Sequence, residues 1–182
     1  MSAYDAQPYW LDGYKSLAEV VSHAKKLGVE RVGVWHSVLG YWDGVSPTSE
    51  TFRNFPFVTL WKKRGAQYDA IHPFRVDTFF DIWYRQLQSW GVDFVKCDDM
   101  AEIEDMDSCL DYEGNPFPLR EFRTAYVAAI KRNAEKYFSG RIIWFVPFKS
   151  TLIDQVYGTV TSTSTGSSRP FNSNRHETYA SQ

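Results

Sequence analysis

The sequence predicts an α/β chain in which parallel strands alternate with helices, of barrel or doubly wound type. Three observations carry this. A segment of helical periodicity, a glycine and a short apolar strand recur in that order three times within 182 residues. The strands are apolar almost throughout, as parallel strands covered on both faces are. Their polar ends all fall on the C-terminal side, where either architecture holds its sites.

In the first unit, residues 15–27 (KSLAEVVSHAKKL) place Leu17, Val20, Val21, Ala24 and Leu27 on one helical face. Gly28 ends that helix, and Arg31 to His36 reads as a short buried strand. In the second, residues 74–90 (FRVDTFFDIWYRQLQSW) turn Val76, Phe79, Phe80, Trp83, Leu87 and Trp90 inward, with Pro73 at the first turn. Gly91 closes this helix and Val92 to Cys97 is the next strand. In the third, residues 119–138 set Phe122, Tyr126, Val127, Ile130 and Ala134 in register. Ser139 and Gly140 close it, and Arg141 to Val146 is the third strand. Three units are too few to close an eight-stranded barrel, so a barrel reading makes the chain part of one.

Two segments break the pattern. Ser37 to His72 is long and holds Tyr41, Trp42, Phe52, Phe55, Phe57, Trp61 and Tyr68. A connection of this length is usually functional or contains elements of its own, and FVTLW within it is a candidate short barrel strand. From about residue 149 the chain is rich in Ser and Thr and nearly empty of aliphatics. Such a segment buries too little apolar surface to offset its ordering entropy, so it reads as disordered.

Composition narrows the function classes. Net charge is −2 with no basic stripe, which argues against a nucleic-acid partner. No apolar run approaches the roughly 20 residues of a bilayer span, and the N-terminus lacks the features of a signal peptide. The two cysteines make no disulfide framework. No Cys/His spacing suits zinc, and no GxGxxG turn suits a dinucleotide. The expectation is a soluble, cytoplasmic protein without metal or cofactor. Aromatic residues make up 17% of the chain, seven of them Trp. They serve a large core, or some of them face a ligand with flat apolar faces such as a sugar.

The chemistry concentrates in GVDFVKCDDM, residues 91–100. Side chains two apart on a strand share a face. Lys96 and Asp98 therefore point one way and Cys97 the other. At a strand mouth, Asp98 is a candidate nucleophile, and the lysine favours the ionised carboxylate that a nucleophile requires. A structural ion pair or a helix cap is the competing reading. Asp99 projects away from Asp98, so the two do not form the facing carboxylate pair, about 5–5.5 Å apart, of a retaining glycosidase. The run EIEDMDSCLDYEG lacks a calcium-loop pattern and reads as a solvated acidic loop. At the other strand end, Trp35, Trp42 and Asp43 suit a sugar site, with rings to stack on and a carboxylate to accept hydroxyl hydrogen bonds. A tight aromatic turn is the alternative there. His36 reads as a structural histidine.

Two of these stretches resemble a known family. VWHSVLGYWDGV is similar to the VWHA-x-x-GYWGGV signature of raffinose synthases and seed imbibition proteins, the alkaline α-galactosidases related to glycoside hydrolase family 36. HPFRVDTFFDIWYRQLQSWGVDFVKCDD resembles their P-x-K-V…GVDGVKVD segment, and the similarity covers residues 15–146. The resemblance implies a partial (β/α)₈ TIM barrel over residues 1–148, followed by a disordered or aberrant tail over 149–182. It implies retaining chemistry on raffinose-family or other α-galactosides, by hydrolysis or galactosyl transfer. Asp98 takes the position of the nucleophile, and Lys96 that of a lysine contacting sugar hydroxyls. Trp35 and Trp42 match the signature and line the pocket. Asp43 replaces a glycine of the signature, and its sugar contact is inferred from its chemistry. The family's acid/base aspartate, in a stretch resembling R-x-S-D-D, has no counterpart here. The expectation is a fragment carrying the nucleophile half of the site and inactive alone, or else a non-catalytic carbohydrate-binding remnant. Its partner would be an α-galactoside or oligosaccharide, and the sequence sets no oligomeric state.

Overall fold

The computed structural model describes residues 13–40, 44–62, 65 and 67–144. Helix α1 spans Leu17–Lys26, and β1 spans Gly33–Ser37. Strands β2 (Phe57–Lys62) and β3 (Gln67–Ile71) precede α2, Pro73–Ser89. Then come β4 (Phe94–Asp98), the short α3 (Met100–Glu104), β5 (Met106–Asp111), α4 (Leu119–Phe138) and β6 (Ile142–Trp144).

The helices form where apolar periodicity and end signals agree. Ser16 caps α1 by accepting the Glu19 N–H. Pro73 opens α2, where its missing N–H costs nothing. Behind α1 and α2, Gly28 and Gly91 adopt positive φ of 93° and 85°, the left-handed turn that stops a helix. Helix α4 has the predicted bounds.

Strands β1, β4 and β6 form a parallel sheet in the order β1-β4-β6, with β4 in the middle. Register sets Val34 beside Val95 and Ile142, and His36 beside Cys97 and Trp144. On the opposite face Trp35, Lys96 and Ile143 form a row. The face bearing His36 packs under α2, whose Phe80, Trp83 and Tyr84 rings surround the imidazole. Helices α2 and α4 pack on each other, joined by Phe80 against Tyr126 and Tyr84 against Phe138.

The second sheet differs from expectation. It is antiparallel, in the order β3-β2-β5. FVTLW is a strand, but it is the centre of this sheet and not a member of the parallel one. The acidic run is not a solvated loop either. It forms α3 and β5, because Ile103, Met106 and Cys109 fall at positions that bury while Asp107 stays outside. Arg123 of α4 donates to the carbonyls of Ile103 (2.7 Å) and Glu104 (3.0 Å), satisfying the end of α3. Both sheets share one core, and Tyr126 of α4 is tied to β3 of the second sheet by donating to the Ile71 carbonyl at 2.7 Å. Among the described residues the two sheets close no barrel, and no helix is long and apolar enough to cross a membrane. The segment 149–182 lies outside the described residues.

Candidate active site

The site is built at the C-terminal end of β4. In a parallel β-α-β arrangement each helix begins on the side where a strand ends. Strands β2 and β3 lie between β1 and α2, and β5 lies between β4 and α4. The whole antiparallel sheet is therefore built from excursions on the side where Asp98 sits.

Asp98 is the last residue of β4 and pairs with Ser37 at the end of β1. Its backbone carbonyl accepts the Val38 N–H at 2.9 Å, which ties the two strand ends together. Its carboxylate is held at both oxygens. Oδ2 accepts the Trp35 indole N–H at 2.9 Å, and Oδ1 accepts the Asp99 backbone N–H at 2.9 Å. The Lys96 ammonium stands 3.6 Å from Oδ2, an ion pair longer than a good hydrogen bond. Burial raises the Asp98 pKa. The indole, the amide and the ammonium outweigh it, so the carboxyl stays below its ordinary value and is ionised at neutral pH.

Asp99 has φ of 59°, a left-handed conformation that Asp tolerates better than most residues. Its N–H, in the peptide unit shared with Asp98, points back to Asp98 Oδ1. Cys97 points to the opposite face, fully buried, and burial raises its thiol pKa well above the ordinary value. It is a packing residue, since an inert thiol is neither nucleophile nor ligand.

His36 is also fully buried. Its Nδ1 lies 2.8 Å from the Ser37 carbonyl, which can only accept, so Nδ1 carries the proton. Nε2 then accepts from the Tyr84 hydroxyl at 2.7 Å. Burial pushes its pKa down to about 4. The residue is a satisfied, neutral core histidine.

The structure thus brings together three residues singled out from sequence: Asp98, Lys96 and Trp35. The Trp35 indole N–H is committed to Asp98. The Asp99 backbone amide joins them as a partner of the carboxylate, a contact that side-chain spacing does not specify. The other two, Trp42 and Asp43, lie outside the described residues. Among the described residues no cluster of His, Cys, Asp and Glu could hold a metal.

No family model matches the chain. It is 26% identical over 134 residues to a probable galactinol–sucrose galactosyltransferase of Arabidopsis thaliana. The match covers 66% of this chain but 17% of that relative. The chain is therefore similar to one stretch of a galactosyltransferase and spans a small part of its length.

Proposed function

We propose that the chain contributes part of a (β/α)₈ barrel to a retaining α-galactosidase or galactosyltransferase acting on raffinose-family or other α-galactosides, with Asp98 as the nucleophile. One observation carries this reading. In a chain similar to a galactosyltransferase, an ionised carboxylate stands at the end of the middle parallel strand, both oxygens held and a lysine beside it.

In this reading an Asp98 oxygen donates its electron pair to the anomeric carbon, forming a glycosyl ester. The bond from that carbon to the leaving oxygen breaks, and the leaving group takes the electrons and a proton given by a general acid from outside this chain. Water or a sugar hydroxyl then attacks the same carbon, passes its proton to the conjugate base of that acid and releases Asp98 as carboxylate. In the same reading the Lys96 ammonium donates to a sugar hydroxyl. The reading assigns the general acid to no residue of this chain, and such help is worth about 10²–10⁴-fold. Turnover of substrates with poor leaving groups is therefore expected to be lost in the isolated chain.

The test removes the need for the acid. A fluorine-deactivated dinitrophenyl α-galactoside departs as a phenolate and traps the ester. The expected result is one added fluorogalactosyl mass on the peptide containing Asp98, absent in Asp98→Asn. Binding of raffinose without any adduct would favour a carbohydrate-binding remnant. An adduct that persists in Asp98→Asn would refute the nucleophile assignment.

A further inference from the structure

A tryptophan at a strand mouth beside a carboxylate invites assignment as a stacking wall for a sugar. The geometry here points elsewhere. Trp35 lies one row before Asp98 on the same face of the sheet, since Trp35 pairs with Lys96 and Ser37 with Asp98. From that row its indole N–H reaches Asp98 Oδ2 at 2.9 Å.

We infer that Trp35 is a positioning residue, whose indole N–H and the Asp99 amide grip the two oxygens of Asp98 and fix the plane of its carboxylate. This rests on the proposed role of Asp98 for its meaning in catalysis, but not for its geometry. Two donors on different oxygens resist rotation about the Cβ–Cγ bond, which a single donor does not. Both donors are themselves constrained. Trp35 sits within β1, paired to β4, and the Asp99 amide lies in the peptide unit that closes β4, just ahead of fully buried Met100. Lys96 cannot replace the indole. Its ammonium is 3.6 Å from Oδ2 and its side chain is 41% exposed, at the end of a flexible stem. The division of labour is that Trp35 holds the carboxylate while Lys96 addresses the ligand. A nucleophile fixed in this way spends no binding energy on its own orientation.

Lys96 and Asp99 are the charged groups near Asp98 on its own segment. Neither Trp35 nor Ser37 of β1 is charged, nor is Ile143 of β6. A titration of Asp98 is therefore read against Lys96→Met as a control.

The experiment is an NMR titration of the whole 182-residue chain. It follows the Trp35 indole resonance, identified by its loss in Trp35→Phe, and the Asp98 side-chain carboxyl. The expected indole proton lies downfield and moves with pH at the midpoint of Asp98, a step that Asp98→Asn abolishes. Trp35→Phe keeps a ring but no donor, and is expected to raise the Asp98 midpoint. Lys96→Met is expected to raise it too while leaving the indole step in place. An indole resonance that ignores the Asp98 titration overturns the proposal. So does an unchanged midpoint in a folded Trp35→Phe. If that variant does not fold, wild type against Asp98→Asn decides. None of these readouts needs a substrate, so a failed adduct experiment leaves this result standing and the converse holds as well.

Discussion

Acid should destabilise this fold well above the pH at which carboxylates protonate, and His36 is the reason. The residue is fully buried, donates from Nδ1 to Ser37 and accepts at Nε2 from Tyr84. Its pKa falls from 6.5 to about 4 because burial disfavours the charged ring. A group whose folded pKa is depressed in this way binds more protons when unfolded. Its contribution is complete above about pH 6.5 and is lost as pH falls toward the folded value. The shift corresponds to roughly 3 kcal/mol in all, of which about 2 kcal/mol disappears between pH 7 and pH 5. His72, also lowered by burial and opposed by Asp111, adds to the same loss. Asp81, Asp93, Asp98 and Asp111 have lowered pKa values, so their stabilisation is lost only below the ordinary carboxylate range. Urea unfolding at pH 7 and pH 5 measures the difference. His36→Gln should be less stable at pH 7 but show a smaller loss on acidification, only the His72 share remaining. Equal free energies at the two pH values in wild type would refute the reasoning, as would an undiminished loss in the variant.

Gly44 has φ of 83°, and a Cβ there would run into the Asp69 backbone carbonyl. Gly44→Ala is expected to cost about 2–4 kcal/mol by urea unfolding, because backbone cannot swing aside. At Gly33 an added Cβ would meet the Phe94 ring instead. Gly33→Ala should cost about 1–3 kcal/mol, and a double-mutant cycle with Phe94→Ala should recover much of it. Tyr126→Phe leaves the Ile71 carbonyl without its buried donor and should lose about 1–3 kcal/mol in thermal or urea melts. Arg123→Met should speed amide exchange in α3 and β5 while α4 keeps its protection.

The three helix–glycine–strand units were legible because each states itself locally. Seventeen residues in α2 and twenty in α4 give several turns of periodicity, and glycines mark the ends. The antiparallel sheet was not legible, for two physical reasons. Its central strand pairs Val58 with Asp111 across two intervening strands and two helices, and no local pattern announces such a partner. Its β5 strand lies within a run of acids whose charge masks the few positions that matter. Ile103, Met106 and Cys109 decide the fold there, since buried apolar area outweighs the solvated charges beside them. At the site, face alternation separated Asp98 from Cys97 and paired it with Lys96. The Trp35 contact required the β1–β4 register, which the sequence does not state.

That register also explains how firmly Asp98 is held. Before it, β4 is bonded on both sides by β1 and β6. After it, the chain makes one left-handed turn at Asp99 and enters α3 at once, where Met100 and Ile103 are fully buried. Arg123 fastens the far end of α3 to α4, and β5 then joins β2 in the second sheet. Asp98 thus lies at the junction of two sheets and is anchored on both sides by core residues. A carboxylate on a mobile loop would have to be ordered by its ligand at a cost in binding energy. Here the core has already met that cost, and the acidic run, which looked like solvated loop, is part of what holds the carboxylate in place.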